Sequence, residues 1–154
     1  YPRRAWTEIT KEEWDQVLGT NLTGYFLCAR AVFPYLKAGG NGRIVNISSI
    51  NTVHPAPGVG LYAASKGALE QLTAVAATEL GLRGITVNTV SPGVTDTDMQ
   101  RNAPGNPDLA ELAELSPLGR IGTPADIADV VAFLVGEDGR WMTGQNLRAG
   151  GGIV

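Results

Sequence analysis

Cysteine is almost missing from this chain: Cys28 is the only one. A lone thiol excludes an intrachain disulfide framework and a cysteine-built metal cluster, so no metal site is expected, and Cys28 itself reads as a small buried apolar residue. Histidine is equally scarce. His54 stands alone with no acid beside it in the sequence, and reads as a loop residue. Charge of either sign is modest, with 12 basic and 15 acidic residues and a net charge of −3. That balance argues against a nucleic-acid surface. No apolar run reaches membrane-spanning length, and no signal peptide is visible at Tyr1. The expectation is a cytoplasmic protein that binds neither membrane nor nucleic acid.

What is present is the composition of a globular domain. Of the 154 residues, 44% are hydrophobic and 18% charged, enough for one domain over 1–154 with a sizeable core. Twenty glycines and nine prolines punctuate it. Thr10 with Glu13 forms a capping box that opens a helix running to about residue 37. Trp14, Val17, Leu18, Leu22, Tyr25, Ala29, Val32, Phe33 and Leu36 recur at helical spacing along it. Asn21 lies inside that stripe and reads as a buried amide serving a neighbouring backbone group. Gly24, inside the helix, suggests close packing. The Gly-rich turn at 39–42 precedes a strand and does not follow one, so it is a helix cap and not a phosphate cradle.

Ile44–Ile47 is short and β-branched, as in a buried parallel strand. A loop with prolines and glycines leads to a second helix over about 60–82, followed by a second strand over 85–90. Strands alternating with helices predict an α/β fold with a parallel sheet. Ser91 to Thr97 then leave the sheet at its carboxyl end, where open α/β sheets bind ligands.

The chemistry gathers between Ser49 and Lys66. Tyr62 and Lys66 are four residues apart at the start of the second helix, hence on one face. A phenol titrates near pKa ~10, and an adjacent cation favours the phenolate; work near neutral pH asks for up to about 4 kcal/mol of differential stabilisation. A phenol so tuned exchanges a proton with a substrate oxygen. A serine at the end of the neighbouring strand is placed to donate a hydrogen bond to the same oxygen.

Ser49, Tyr62 thirteen residues later and Lys66 after it resemble the short-chain dehydrogenase/reductase family, whose Y-x-x-x-K motif matches Tyr62-Ala63-Ala64-Ser65-Lys66. The resemblance extends from Trp14 to Gly151. Trp14-Asp15 with Asn21 to Gly24 is similar to the family's W-D…N-x-x-G helix, which implies that Asn21 is the fourth catalytic residue, holding a water in a relay to the lysine. Pro92-Gly93 with Thr97 resembles its P-G-x-x-x-T segment, implying that Pro92, Gly93, Thr95 and Thr97 bind the cofactor, with the backbone near Thr95 and the Thr97 hydroxyl holding the nicotinamide carboxamide. Thr97, Asp96 and Asp98 read equally as helix caps. Residues 99–118 correspond to the family's substrate lid. The P-x-x-R-x-G-x-P-x-x-I-A signature is matched from Pro117 to Ala128, where Thr123 caps a helix and Pro124 takes its first position. Thr143-Gly144-Gln145 matches the turn into the last strand. Arg148 and Ala149 depart from the apolar and acidic pair usual there, which bears on packing at that strand end.

The resemblance implies a Rossmann-like, doubly wound parallel sheet, truncated at the N-terminus, and an oxidoreductase that uses NAD or NADP to interconvert a small-molecule carbonyl and alcohol. Tyr62 would be the acid/base, Ser49 would orient the substrate oxygen, and Lys66 would tune Tyr62 and, with it, hold the nicotinamide ribose. It also implies a homodimer or homotetramer through the helices over 11–37 and 60–82. Only the second half of the family's domain is matched, and no G-x-x-x-G-x-G that would hold a pyrophosphate occurs. A sheet of about three strands would leave Ile44–Ile47 as an apolar edge, to be covered by further polypeptide or by an oligomer partner. The rival expectation is a non-catalytic fragment serving oligomerisation or partner binding. A dehydratase or epimerase sharing the Tyr-Lys helix fits less well after Lys66.

Overall fold

The computed structural model describes residues 3–102 and 108–153. Its centre is a three-stranded parallel sheet in the order β1 (Arg43–Ile47), β2 (Thr86–Pro92), β3 (Asn146–Ala149). Arg43 pairs with Thr86 and Ile47 with Val90; Thr89 pairs with Asn146 and Pro92 with Ala149. The second strand therefore runs past the expected end at residue 90 to include Ser91 and Pro92. Proline is tolerated there because it sits at the strand terminus. Arg148 and Ala149 pair with Ser91 and Pro92, so the unusual residues at the end of the last strand leave the ladder intact.

The first helix is not uniform. α1 (Lys11–Leu18) passes through a π-helical turn (Gly19–Thr23) into α2 (Gly24–Gly39). The capping box is present: Thr10 Oγ1 accepts from the Glu13 amide and the Glu13 side chain accepts from the Thr10 amide. α2 ends with Gly40 in the left-handed region at φ 70°, as a glycine cap should. Two expectations fail here. Cys28 is exposed and not buried, since α2 turns its side chain away from the stripe formed by Ala29, Phe33 and Leu36. Gly24 meets nothing closer than the Gly19 carbonyl at 3.5 Å from a built Cβ, so it is not a site of tight packing.

α3 (Gly60–Leu80) buries Leu61, Ser65, Leu69, Thr73 and Ala77. The alanine and leucine pattern favours a different face; Leu72 and Val75 are in fact exposed. The true stripe carries two hydroxyls, and each is satisfied: Thr73 Oγ1 donates to the Leu69 carbonyl at 2.9 Å and accepts from Asn46 Nδ2 at 2.7 Å. Ala77, Ile85 and Val87 form a core cluster flanked by Phe33, Leu36, Ile44, Ala76 and Leu80. Each large side chain fully buried there contributes about 1.5–3 kcal/mol. Asn46 and Ser91 bond to α3 and Val87 packs against α2 and α3, while α6 (Pro124–Val135) lies against all three strands. The two helices thus cover opposite faces of a doubly wound sheet.

The turn into β3 is held to β2 by the Val87 amide, which donates to Thr143 Oγ1 at 3.1 Å, by the Val87 carbonyl, which accepts from the Gly144 amide at 2.8 Å, and by the buried amide of Asn88. Asn88 Nδ2 donates to the Met142 carbonyl at 2.7 Å and its Oδ1 accepts from the Gln145 amide at 3.1 Å. Asn88→Ala takes the side-chain partner away from both backbone groups. We expect a loss of about 3 kcal/mol, seen as a melting temperature lower by about 6–12 °C. A shift under about 2 °C would show that the turn is held by other contacts.

Candidate functional site

The site forms where β1 ends and α3 begins. The Ser48 amide donates to the Val90 carbonyl at 2.8 Å, carrying the ladder one residue past β1. Ser49 follows in extended conformation, φ −161° and ψ 148°, and caps a 3-10 turn (Ile50–Thr52). Its Oγ accepts from the Asn51 amide at 3.2 Å. That bond uses a lone pair and leaves the hydroxyl proton to donate.

Tyr62 and Lys66 occupy the first two turns of α3, both partly buried. Lys66 Nζ donates to the Ile47 carbonyl at 2.8 Å and lies 5.7 Å from the centroid of the Tyr62 ring. It thus joins the face of α3 that bears Tyr62 to the last residue of β1. Burial pushes the Lys66 ammonium below the ordinary lysine range. A charge so placed weighs against the fold below its depressed value, and the penalty fades as pH rises through the ordinary lysine value.

Asn21 sits in the π turn. Its Nδ2 donates to Ser65 Oγ at 3.0 Å, and Ser65 Oγ donates to the Tyr62 carbonyl at 2.7 Å. Ser65 is wholly buried. Asn21 therefore ties the first helix to α3 at the tyrosine itself, through its side-chain amide. π turns recur at functional sites because they displace one residue from the regular helical ladder.

The second wall leaves β2 at the same end of the sheet. Gly93 donates from its amide to the Ala149 carbonyl at 3.0 Å. Thr95 forms an isolated parallel bridge with Gly122, and its Oγ1 donates to the Gly93 carbonyl at 3.1 Å. Thr97 Oγ1 accepts from the Gln100 amide at 3.3 Å, capping α4 (Asp98–Asn102); its hydroxyl proton stays available. Asp96 pairs with Arg101 at 2.7 Å, which holds its carboxyl below the usual range. Further on, Thr123 and Asp126 form the capping box of α6, with Pro124 in its first turn. The Arg120 guanidinium grips both oxygens of Asp126 at 2.8 Å and, with the Thr123 amide, holds that carboxyl far below the usual range. Of the expected lid, α4 and α5 (Leu109–Glu114) are helical, and residues 103–107 lie outside those described.

Sequence patterning overlooks Glu70. This residue lies one helical turn beyond Lys66, and its Oε1 accepts from Ser48 Oγ at 2.6 Å and Thr52 Oγ1 at 2.9 Å, with Ser91 Oγ at 3.2 Å. The repeat of Tyr62, Lys66 and Glu70 at steps of four was the available signal.

Comparison with known proteins adds a second line. A family model described as enoyl-(acyl carrier protein) reductase matches residues 2–154. A short-chain type dehydrogenase/reductase of Picea abies is 40% identical over 154 residues, covering 100% of this chain and 56% of the relative. An NADPH-dependent aldehyde reductase-like chloroplastic protein of Arabidopsis thaliana is 41% identical over 155 residues, with the same 100% and 56% coverage. Among solved structures, a 3-ketoacyl-(acyl-carrier-protein) reductase from Brucella melitensis complexed with NADH superposes with a TM-score of 0.91 at 27% identity, covering 99% of this chain and 62% of that one. The chain thus spans a little over half the length of the curated relatives it matches.

Proposed function

The chain belongs to the short-chain dehydrogenase/reductase family, and from that premise we propose that it carries the acid/base half of an NAD(P)(H)-dependent oxidoreductase that interconverts a carbonyl and an alcohol. The observation that carries this reading is Lys66: one side chain links the end of β1 to the ring of Tyr62, two residues before a serine whose proton is free to donate.

In the reducing direction, Tyr62 gives its phenolic proton to the substrate oxygen as charge develops there. Ser49 donates a hydrogen bond to the same oxygen. Lys66 favours the phenolate that Tyr62 becomes, and an ammonium has three donors, of which the Ile47 carbonyl takes one. Those left are suited to ribose hydroxyls. Asn21 holds the helix that bears Tyr62 in place through Ser65, and completes the relay that returns protons to Lys66. Pro92, Gly93, Thr95 and Thr97 line the nicotinamide side, with the Thr97 proton suited to a carboxamide oxygen. When bound, the nicotinamide supplies the hydride. Relatives described as NADPH-dependent and as complexed with NADH support either nucleotide.

The reading includes a homodimer or homotetramer, supported by Phe26, Leu27, Leu72 and Val75, which leave α2 and α3 with exposed apolar outer faces. It also includes a cytoplasmic location. Among the described residues no helix is long and apolar enough to cross a membrane.

The test is nucleotide-dependent reduction of aldehydes and β-keto thioesters by the intact protein, followed by nicotinamide absorbance. We expect turnover, and a loss of about 10²-fold in kcat for Ser49→Ala. No turnover with either nucleotide, together with no response of the tryptophans to millimolar nucleotide, would overturn this reading in favour of an oligomerisation module.

A further inference from the structure

Glu70 gathers hydroxyls from three separate stretches around one carboxyl oxygen. Ser48 comes from the end of β1, Thr52 from the turn behind Ser49, and Ser91 from β2. Thr52 Oγ1 also lies 3.0 Å from the Ser49 carbonyl, so its proton sits between that carbonyl and Glu70. Ser91 Oγ is shared in the same way with Asn146 Oδ1 at 2.7 Å. Ser49 is therefore flanked by two residues tied to one side chain, and that side chain stands on the helix that carries Tyr62 and Lys66. Ser48 Oγ additionally lies 3.4 Å from the Lys66 carbonyl.

The turn also packs against α3, with Ile50 buried. Its own bonds are local: Thr52 and Val53 amides donate to the Ser49 and Ile50 carbonyls, and His54 to Ile50. These bonds shape the turn without setting its distance from the tyrosine. We propose that Glu70 is a positioning residue for Ser49: through Ser48 and Thr52 it sets the spacing between the serine hydroxyl and the phenol of Tyr62, both of which must meet one substrate oxygen. The inference rests on the reductase reading given above. A misplacement of about 1 Å at a reacting oxygen lowers rates by about 10²-fold, and a residue that orients a catalytic group through hydrogen bonds matters at a similar scale.

The experiment compares Glu70→Ala and Glu70→Gln in the intact protein, each with and without Ser49→Ala. Glu70→Ala should lower kcat by roughly 30-fold with nucleotide KM unchanged. Glu70→Gln keeps an acceptor oxygen and should recover most of that loss. In the Ser49→Ala background the Glu70→Ala effect should shrink to under about threefold, because the group it positions is gone. Amide hydrogen exchange supplies a readout independent of activity: residues 52–54 should exchange about tenfold faster in Glu70→Ala while the middle of α3 stays protected. Unchanged exchange in the turn, or losses that multiply with Ser49→Ala, would overturn the proposal. If the unaltered protein reduces no carbonyl, the reductase reading falls, and the exchange comparison alone still decides whether Glu70 holds the turn. Should Glu70→Ala fail to fold, Thr52→Val removes one tie and should lower kcat about fivefold with the same masking by Ser49→Ala.

Discussion

Tyr62→Phe is expected to lower carbonyl reduction by about 10³-fold, within the range that a positioned general acid contributes, while nucleotide affinity stays within about threefold. The substitution removes the phenolic oxygen and keeps the ring. Ser65 bonds to the main-chain carbonyl of residue 62, not to the phenol, so the Asn21–Ser65 link survives. Lys66 keeps its bond to Ile47. The fold and the Lys66 ammonium should therefore persist, and the loss should fall on kcat. The measurement is steady-state reduction beside nucleotide titration by tryptophan fluorescence. Retention of the rate would remove Tyr62 from the acid/base role and leave Lys66, already depressed by burial, as the proton donor. Loss of nucleotide binding alongside the rate would instead mean that the phenol holds the ribose more than it serves the substrate.

Much of this fold was legible because its signals are local. Capping boxes at Thr10 and Thr123 need only the residue three positions on, and both form. Gly40 ends its helix because a left-handed residue there is cheapest as glycine. The parallel sheet followed from short β-branched runs between helices. The misreadings share a different cause. Cys28 was assigned by residue type, yet exposure is set by which face α2 presents after the π turn, and one extra residue in a turn shifts that face. The buried stripe of α3 was missed because Ser65 and Thr73 belong to it. A hydroxyl enters a core when partners satisfy it, and those partners, Asn21 and Asn46, lie 44 and 27 residues away. Glu70 was passed over for the same reason: its partners come from β1, β2 and the turn between β1 and α3, and only folding brings them together. Motif spacing marks the candidate residues for chemistry. It is silent on the groups that hold them.

Gly93→Ala is expected to be strongly disruptive at this end of the sheet. The resemblance places Gly93 against the nicotinamide, but the structure gives it a packing reason that needs no ligand. A Cβ there would lie 2.6 Å from Gly150 Cα and 3.0 Å from the Gly150 carbonyl oxygen. The obstacle is backbone, so no rotamer change relieves it. A Cβ built on Gly150 would in turn lie 2.9 Å from Ile50 Cδ1. Ile50 is the residue after Ser49, so a displaced Gly150 would press on the segment that bears the candidate serine. Forcing a methyl into such a contact costs about 3 kcal/mol, which corresponds to a melting temperature lower by about 6–12 °C, and the reduction rate should fall with it. Gly67 is the matched control. It lies mid-helix beside Lys66 with nothing within 4 Å of a built Cβ, so Gly67→Ala should stabilise α3 by up to about 1 kcal/mol. Calorimetry on the two variants gives opposite signs if close backbone approach is what requires Gly93. A Gly93→Ala protein that melts normally but binds nucleotide poorly would return the residue to the cofactor alone.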